Sequence, residues 1–186
     1  MSEGKMRFGC LVKKGVAEVR ERDLPEIGEY DVLLKMKACN ICTTDYGQWL
    51  GLREHQGYPM AGGHEAAGIV QKVGSKVADF KIGDLVATGY EGCGNCSACR
   101  NGQVDQCEDI RKDTEDGYRW GFFGFSDYCV KSVRGIYKIA ASVNPAEAGF
   151  LEPLATVLHG AKKLRLKPFD TVAVIGAGTM GLIHAQ

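Results

Sequence analysis

Four cysteines, Cys93, Cys96, Cys99 and Cys107, fall within fifteen residues in the pattern C-x2-C-x2-C-x7-C. Closely spaced thiolates on a tight loop supply the four soft ligands of a tetrahedral zinc ion. Gly92, Gly94 and Gly102 provide the turns that aim several sulfurs at one point. No histidine is placed to contribute, so the expected site is all-thiolate, closed and structural. Three other readings compete. Disulfides are one, although cysteines so crowded pair poorly. An iron–sulfur cluster shares the C-x2-C-x2-C opening, but those motifs continue with x3-C-P, and Gln103 holds that place. Unrelated buried thiols are the plainest.

Two further groups are weak when taken singly. Cys42 is followed by Thr43, Thr44 and Asp45, and His64-Glu65 lies in a Gly62-Gly63-His64-Glu65 stretch. A lone cysteine is usually a small core residue. Thr44 and Asp45 read equally well as turn or cap residues of a helix beginning near Thr43. A third group is Gly176-Ala177-Gly178-Thr179-Met180-Gly181, a GxGxxG motif. It gains weight because it follows the apolar run Thr171–Ile175 and opens a helix. In that setting Gly176 makes the turn, Gly178 lets a pyrophosphate approach the backbone, and Gly181 permits close helix–strand packing. The helix N-terminus then faces the anion.

The elements that must position these groups are mostly short strands. Asp31–Cys39 alternates, with Val32, Leu34, Met36 and Ala38 on one face. Glu65–Val73, Asp84–Thr88, Ser126–Val133 and Ile136–Ala140 are further strand candidates among glycine-rich turns, a pattern of barrels and sandwiches. The character changes at Asn144, where an Asn cap, Pro145 and Glu147 start a helix towards Leu164, with Lys162 and Lys163 in its last turn. Pro153 is expected to break or kink it. Thr171–Ile175 reads as a buried parallel strand. With no neighbouring strand in the sequence, it is expected to pack on another chain or fray.

Composition bounds the function. The 186 residues carry 23 basic and 23 acidic side chains, which argues against a nucleic-acid or anionic-membrane partner. The longest uncharged run, Thr171–Gln186, is shorter than the ~20 residues of a membrane span. No signal peptide is visible at the N-terminus. The cytoplasm is the expected compartment, and there the eight cysteines are reduced. Cys10, Cys39 and Cys129 are left to core packing.

Taken together, the motifs resemble the zinc-dependent alcohol dehydrogenases of the medium-chain dehydrogenase/reductase superfamily. The order carries the resemblance: Cys39-Asn40-Ile41-Cys42-Thr43-Thr44-Asp45, then Tyr58 to Glu65, the cysteine lobe, Leu151-Glu152-Pro153-Leu154-Ala155, and the glycine motif. Glu152-Pro153-Leu154-Ala155 looks most like the sorbitol and polyol dehydrogenase branch.

The resemblance implies a mainly β, GroES-like, partly open barrel over residues 1–150 with a zinc lobe at about 91–108, then a linking helix and the truncated first βα unit of a Rossmann domain over 151–186. It implies a structural zinc on the lobe and a catalytic zinc on Cys42, His64 and an acidic third ligand. Glu152 is preferred there because Pro153 could re-aim its carboxylate, and Glu65 is the alternative. Asp45 would accept a hydrogen bond from His64 and fix its tautomer. Thr44 would take the proton of an alcohol or polyol whose hydride passes to NAD or NADP.

The sequence departs from the family in three places. Gly47 stands where many relatives carry a relay histidine, and Asn40 and Thr43 replace other common residues. Relatives are roughly twice as long, so the chain is expected to be an N-terminal fragment, inactive without the rest of the cofactor domain and homo-oligomeric when complete. The competing readings are a non-catalytic, zinc-stabilised GroES-like binding or scaffold module, and an enoyl or quinone reductase, whose members generally lack these metal motifs.

Overall fold

In a computed structural model, residues 4–109, 114, 116–119 and 121–186 are described. A β-hairpin opens the chain, β1 (Lys5–Lys13) pairing antiparallel with β2 (Val16–Asp23). Five more strands follow: β3 (Asp31–Asn40), β4 (Glu65–Val73), β5 (Leu85–Thr88), β6 (Tyr128–Ser132) and β7 (Ile136–Lys138). They form one antiparallel sheet in the order β6-β3-β4-β5-β7. Helices are few: α1 (Thr43–Trp49), α2 (Ser97–Arg100), α3 (Pro145–Ala148), α4 (Leu151–Leu164) and α5 (Thr179–Ala185). Among the described residues, no helix is long and apolar enough to cross a membrane.

The β3 alternation is realised. Val32 and Leu34 are fully buried with Val70, Val86 and Ile136 in one cluster, and Met36 packs at its edge. Leu33, on the other face, is buried too, so neither face of β3 is purely solvated. A second cluster joins β1 to β6 and two loops: Met6, Phe8 and Cys10 pack with Cys129, Ala61 and Phe123. Phe8 meets Tyr118 and Phe123 edge-on, with ring centroids 5.0 and 5.2 Å away. Single bridges from Phe8 to Ser126 and from Leu11 to Met60 tie the hairpin to the rest of the molecule.

Two sequence expectations are corrected. The helix after Asn144 breaks ahead of Pro153, at Gly149–Phe150, and Pro153 lies in the first turn of α4. A proline ring crowds the carbonyl four residues earlier, here that of Gly149, whereas its missing N–H is harmless in a first turn. The junction also has a packing reason: a Cβ on Gly149 would stand 2.9 Å from both Asn40 Nδ2 and the Glu65 carbonyl.

Second, Thr171–Ile175 forms no strand. Val172, Val174 and Ile175 are 52, 45 and 99% exposed, as an apolar run is when no described strand lies beside it. Asn144 caps α3 as expected, its Oδ1 accepting from the Ala146 N–H at 2.9 Å.

Candidate active site

The cysteine lobe closes on one point. The Sγ atoms of Cys93, Cys96, Cys99 and Cys107 all lie within 4.8 Å of one another, and all eight cysteines are free thiols. Backbone N–H groups aim at the sulfurs. Cys93 N–H donates to Cys107 Sγ at 3.2 Å, Cys96 N–H to Cys93 Sγ at 3.3 Å, and Asp109 N–H to Cys107 Sγ at 3.3 Å. Such donors favour thiolate over thiol. The Cys99 N–H, followed by that of Glu108, brings the Cys96 thiol down to about 6, and the Cys93 N–H lowers Cys107. Cys99 goes the other way. The Gly94 N–H lowers it, but burial and donation to three neighbouring sulfurs push it up to about 12. A cation between the four sulfurs would let Cys99 ionise with the rest, and an all-sulfur tetrahedral set fits zinc.

The second cluster stands at one end of the β3–β4 ladder. Asn40, the last residue of β3, pairs with Glu65, the first of β4. Cys42 follows as the N-cap of α1, and His64 precedes β4. Cys42, His64 and Glu65 each offer a ligand atom within 4.8 Å of the others. Glu65 is buried, and His64 packs 6.0 Å from the Phe122 ring. A thiolate, an imidazole and a carboxylate fit a zinc that keeps one position open.

His64 is brought here by the backbone before it. Gly63 has φ +91°, and a Cβ there would stand 2.6 Å from the Phe125 nitrogen. Only glycine combines that conformation with so close an approach.

Asp45 works as a cap. Its Oδ2 accepts the Cys42 N–H at 2.8 Å, while Oδ1 lies 3.8 Å from His64 Nδ1, too far for a hydrogen bond. The expected Asp45–His64 hydrogen bond is therefore replaced by an electrostatic contact, because the carboxylate is turned to the helix start. Burial raises the Asp45 pKa, against the Cys42 N–H and His64.

A cavity of about 740 Å³ opens over this cluster, lined by Cys42, Thr44, His64, Glu65, Phe122 and Glu152 among others. Glu152, second in α4, faces the same space but lies outside the three-residue ligand cluster. Burial holds its carboxyl above the usual range; nearby His64 opposes this and Glu65 adds to it. Gly178 caps α5, and any side chain at Gly181 would collide with the Gly176 carbonyl.

Arg53, His55 and Tyr90 also line the cavity. Sequence reasoning did not find them. Spacing carries no signal for Arg53 and His55, which belong to a single 3-10 turn after α1, Glu54–Gln56, with Arg53 as its N-cap. Cys10 and Cys129 are buried in the core, as expected, and burial pushes Cys39 up to about 12.

Comparison with known proteins gives one family and many relatives. The alcohol dehydrogenase GroES-like domain matches residues 28–141. L-galactonate-5-dehydrogenase of Escherichia coli K12 is 34% identical over 88% of this chain and 47% of its own length. Sorbitol dehydrogenase of Bacillus subtilis is 33% identical over 86% of this chain and 46% of its own. Among solved structures, a proposed zinc-binding dehydrogenase of Sinorhizobium meliloti bound to NADP superposes with TM-score 0.82 at 33% identity, covering 98% of this chain and 52% of that one. The chain thus spans about half the length of the curated relatives it matches.

Proposed function

The chain belongs to the zinc-dependent alcohol dehydrogenases of the medium-chain dehydrogenase/reductase superfamily, and from that premise we propose that it forms the catalytic domain of an alcohol or polyol oxidoreductase using NAD or NADP. The observation that supports this best is the meeting of Cys42, His64 and Glu65 on a cavity that also holds Thr44. Residues 1–150 are the GroES-like unit and 151–186 lead into the cofactor domain. The small-molecule alcohol as partner, homo-oligomeric assembly and a cytoplasmic place belong to the same reading.

When bound, zinc would polarise the alcohol oxygen and a nicotinamide would accept the hydride. The protein's own residues do the rest. Cys42, His64 and one of Glu65 or Glu152 would hold the metal, and Asp45 fixes the start of α1 through the Cys42 N–H. The Thr44 hydroxyl, on the cavity wall, takes the alcohol proton. Gly47 offers no relay group, so that proton leaves to water or to His55 on the same wall.

Metal counting tests the reading. Two zinc ions per chain are expected, with one lost in Cys42→Ser and in His64→Ala. A single zinc in the unaltered chain would favour the scaffold alternative. Glu65→Ala and Glu152→Ala, compared by zinc affinity, separate the two candidate third ligands.

A further inference from the structure

The cavity wall carries a cation that pairs with no side chain among the described residues. Arg53 and His55, from the turn after α1, line it with Thr44 and His64. Among the described residues, the Arg53 side chain makes no hydrogen bond and no ion pair; its carbonyl accepts from the Gln56 N–H at 2.9 Å. Its Nε stands 3.8 Å from where a Gly47 Cβ would be. Gly47 and Thr44 are three apart on α1, so they share a face, at a spacing of roughly 5–6 Å. The guanidinium therefore lies over the α1 face that carries the Thr44 hydroxyl, about one helical turn along it. A longer side chain at 47 would compete with Arg53 for that space. Four carboxylates line the cavity, Asp45 from α1, Glu65 from β4, Asp105 from the cysteine lobe and Glu152 from α4, and none is paired with Arg53.

An arginine fork matches a carboxylate or phosphate in two parallel hydrogen bonds, whereas neutral hydroxyls have no need of it. We propose that Arg53 is a specificity residue that binds an oxyanion, carboxylate or phosphate, carried by the alcohol substrate a few carbons from its reacting hydroxyl. This rests on the oxidoreductase reading above and narrows its substrates from alcohols and polyols to anionic ones. A dinucleotide pyrophosphate offers the same chemistry from another source, and the test separates the two.

The test is an NMR titration of the zinc-loaded full chain, following the Arg53 Nε–H signal and the amides around Thr44 and His64. The probes are gluconate, the neutral hexitol glucitol and inorganic pyrophosphate. Gluconate is expected to move the Arg53 signal and to bind roughly tenfold or more tighter than glucitol, the discrimination of one charge-assisted hydrogen bond. Arg53→Gln should bring that ratio to about one, and Arg53→Lys should restore part of it, with both zinc ions retained throughout. Equal binding of gluconate and glucitol, or a ratio unchanged in Arg53→Gln, overturns this inference and leaves the oxidoreductase reading standing. A response to pyrophosphate without one to gluconate also overturns it and gives the arginine to the cofactor. If neither gluconate nor glucitol disturbs the amides around Thr44 and His64, both readings fall.

Discussion

Replacing Gly63 by alanine should cost the protein both stability and its second metal site. The backbone there has φ +91°, and the added Cβ would meet the Phe125 nitrogen at 2.6 Å, Cys39 Sγ at 2.9 Å and the Gly124 carbonyl carbon at 2.9 Å. Two of these are backbone atoms of the loop before β6 and cannot swing away. The positive φ alone costs about 1–2 kcal/mol for alanine, and overpacking adds about 1–3 kcal/mol. Gly83 provides the control: its φ is +93°, but nothing lies within 4 Å of its Cβ position. Gly83→Ala should therefore show the conformational cost only, about 1–2 kcal/mol. Both variants restrict the unfolded chain alike, so that effect cancels in the comparison. Urea unfolding of the two zinc-loaded proteins should differ by about 1–3 kcal/mol. Relief of the clash must displace the chain next to His64, so Gly63→Ala should also lose zinc from the Cys42–His64 site while the lobe keeps its own. Equal destabilisation by the two substitutions, or full zinc content in Gly63→Ala, would refute the close approach as what sets His64.

Two further outcomes follow from the packing. Asp127 accepts from Arg7 Nε at 3.0 Å, and that hydrogen bond holds its pKa below the ordinary carboxylate value. Its stabilising effect is therefore complete above the unfolded-state pKa of about 3.9 and fades as pH falls through the lower folded value. Asp127→Asn should be the less stable protein at neutral pH and should converge with the unaltered one in strong acid, as followed by urea midpoints across pH; a constant gap would count against it. Cys107→Ser removes a buried sulfur that accepts two backbone N–H groups, so metal analysis should find one zinc fewer per chain. Proteolysis within residues 91–108 should accelerate as well, since structural metal binding is folding energy. Unchanged zinc content would show that the lobe is not a metal site.

Periodicity and spacing made part of this fold legible. The alternation of Asp31–Cys39 and the apolar Glu65–Val73 segment gave β3 and β4 almost to the residue, because each has a face that must be buried. β2 was not legible: Val16–Asp23 is largely exposed and charged, and its pairing with β1 leaves little trace in composition. Pro153 was read as a local breaker at its own position, but its effect falls on Gly149, where packing against Asn40 and Glu65 agrees with it. Thr171–Ile175 has the right residues for a buried strand and no described partner strand.

By itself the sequence determined the chemistry on offer. Four thiols within fifteen residues can hardly avoid one another, and Cys42, Thr44, His64 and the glycine motif, weak singly, gain their meaning from their order along the chain. Tertiary structure alone decided which groups share a space. The Asn40–Glu65 register puts Glu65 beside Cys42 and His64 and leaves Glu152 facing the same cavity from α4. It turned Asp45 towards the Cys42 N–H, and it laid Arg53 over the bare Gly47. Such outcomes depend on strand register and on close approaches between residues far apart in the chain, which spacing along a sequence does not encode.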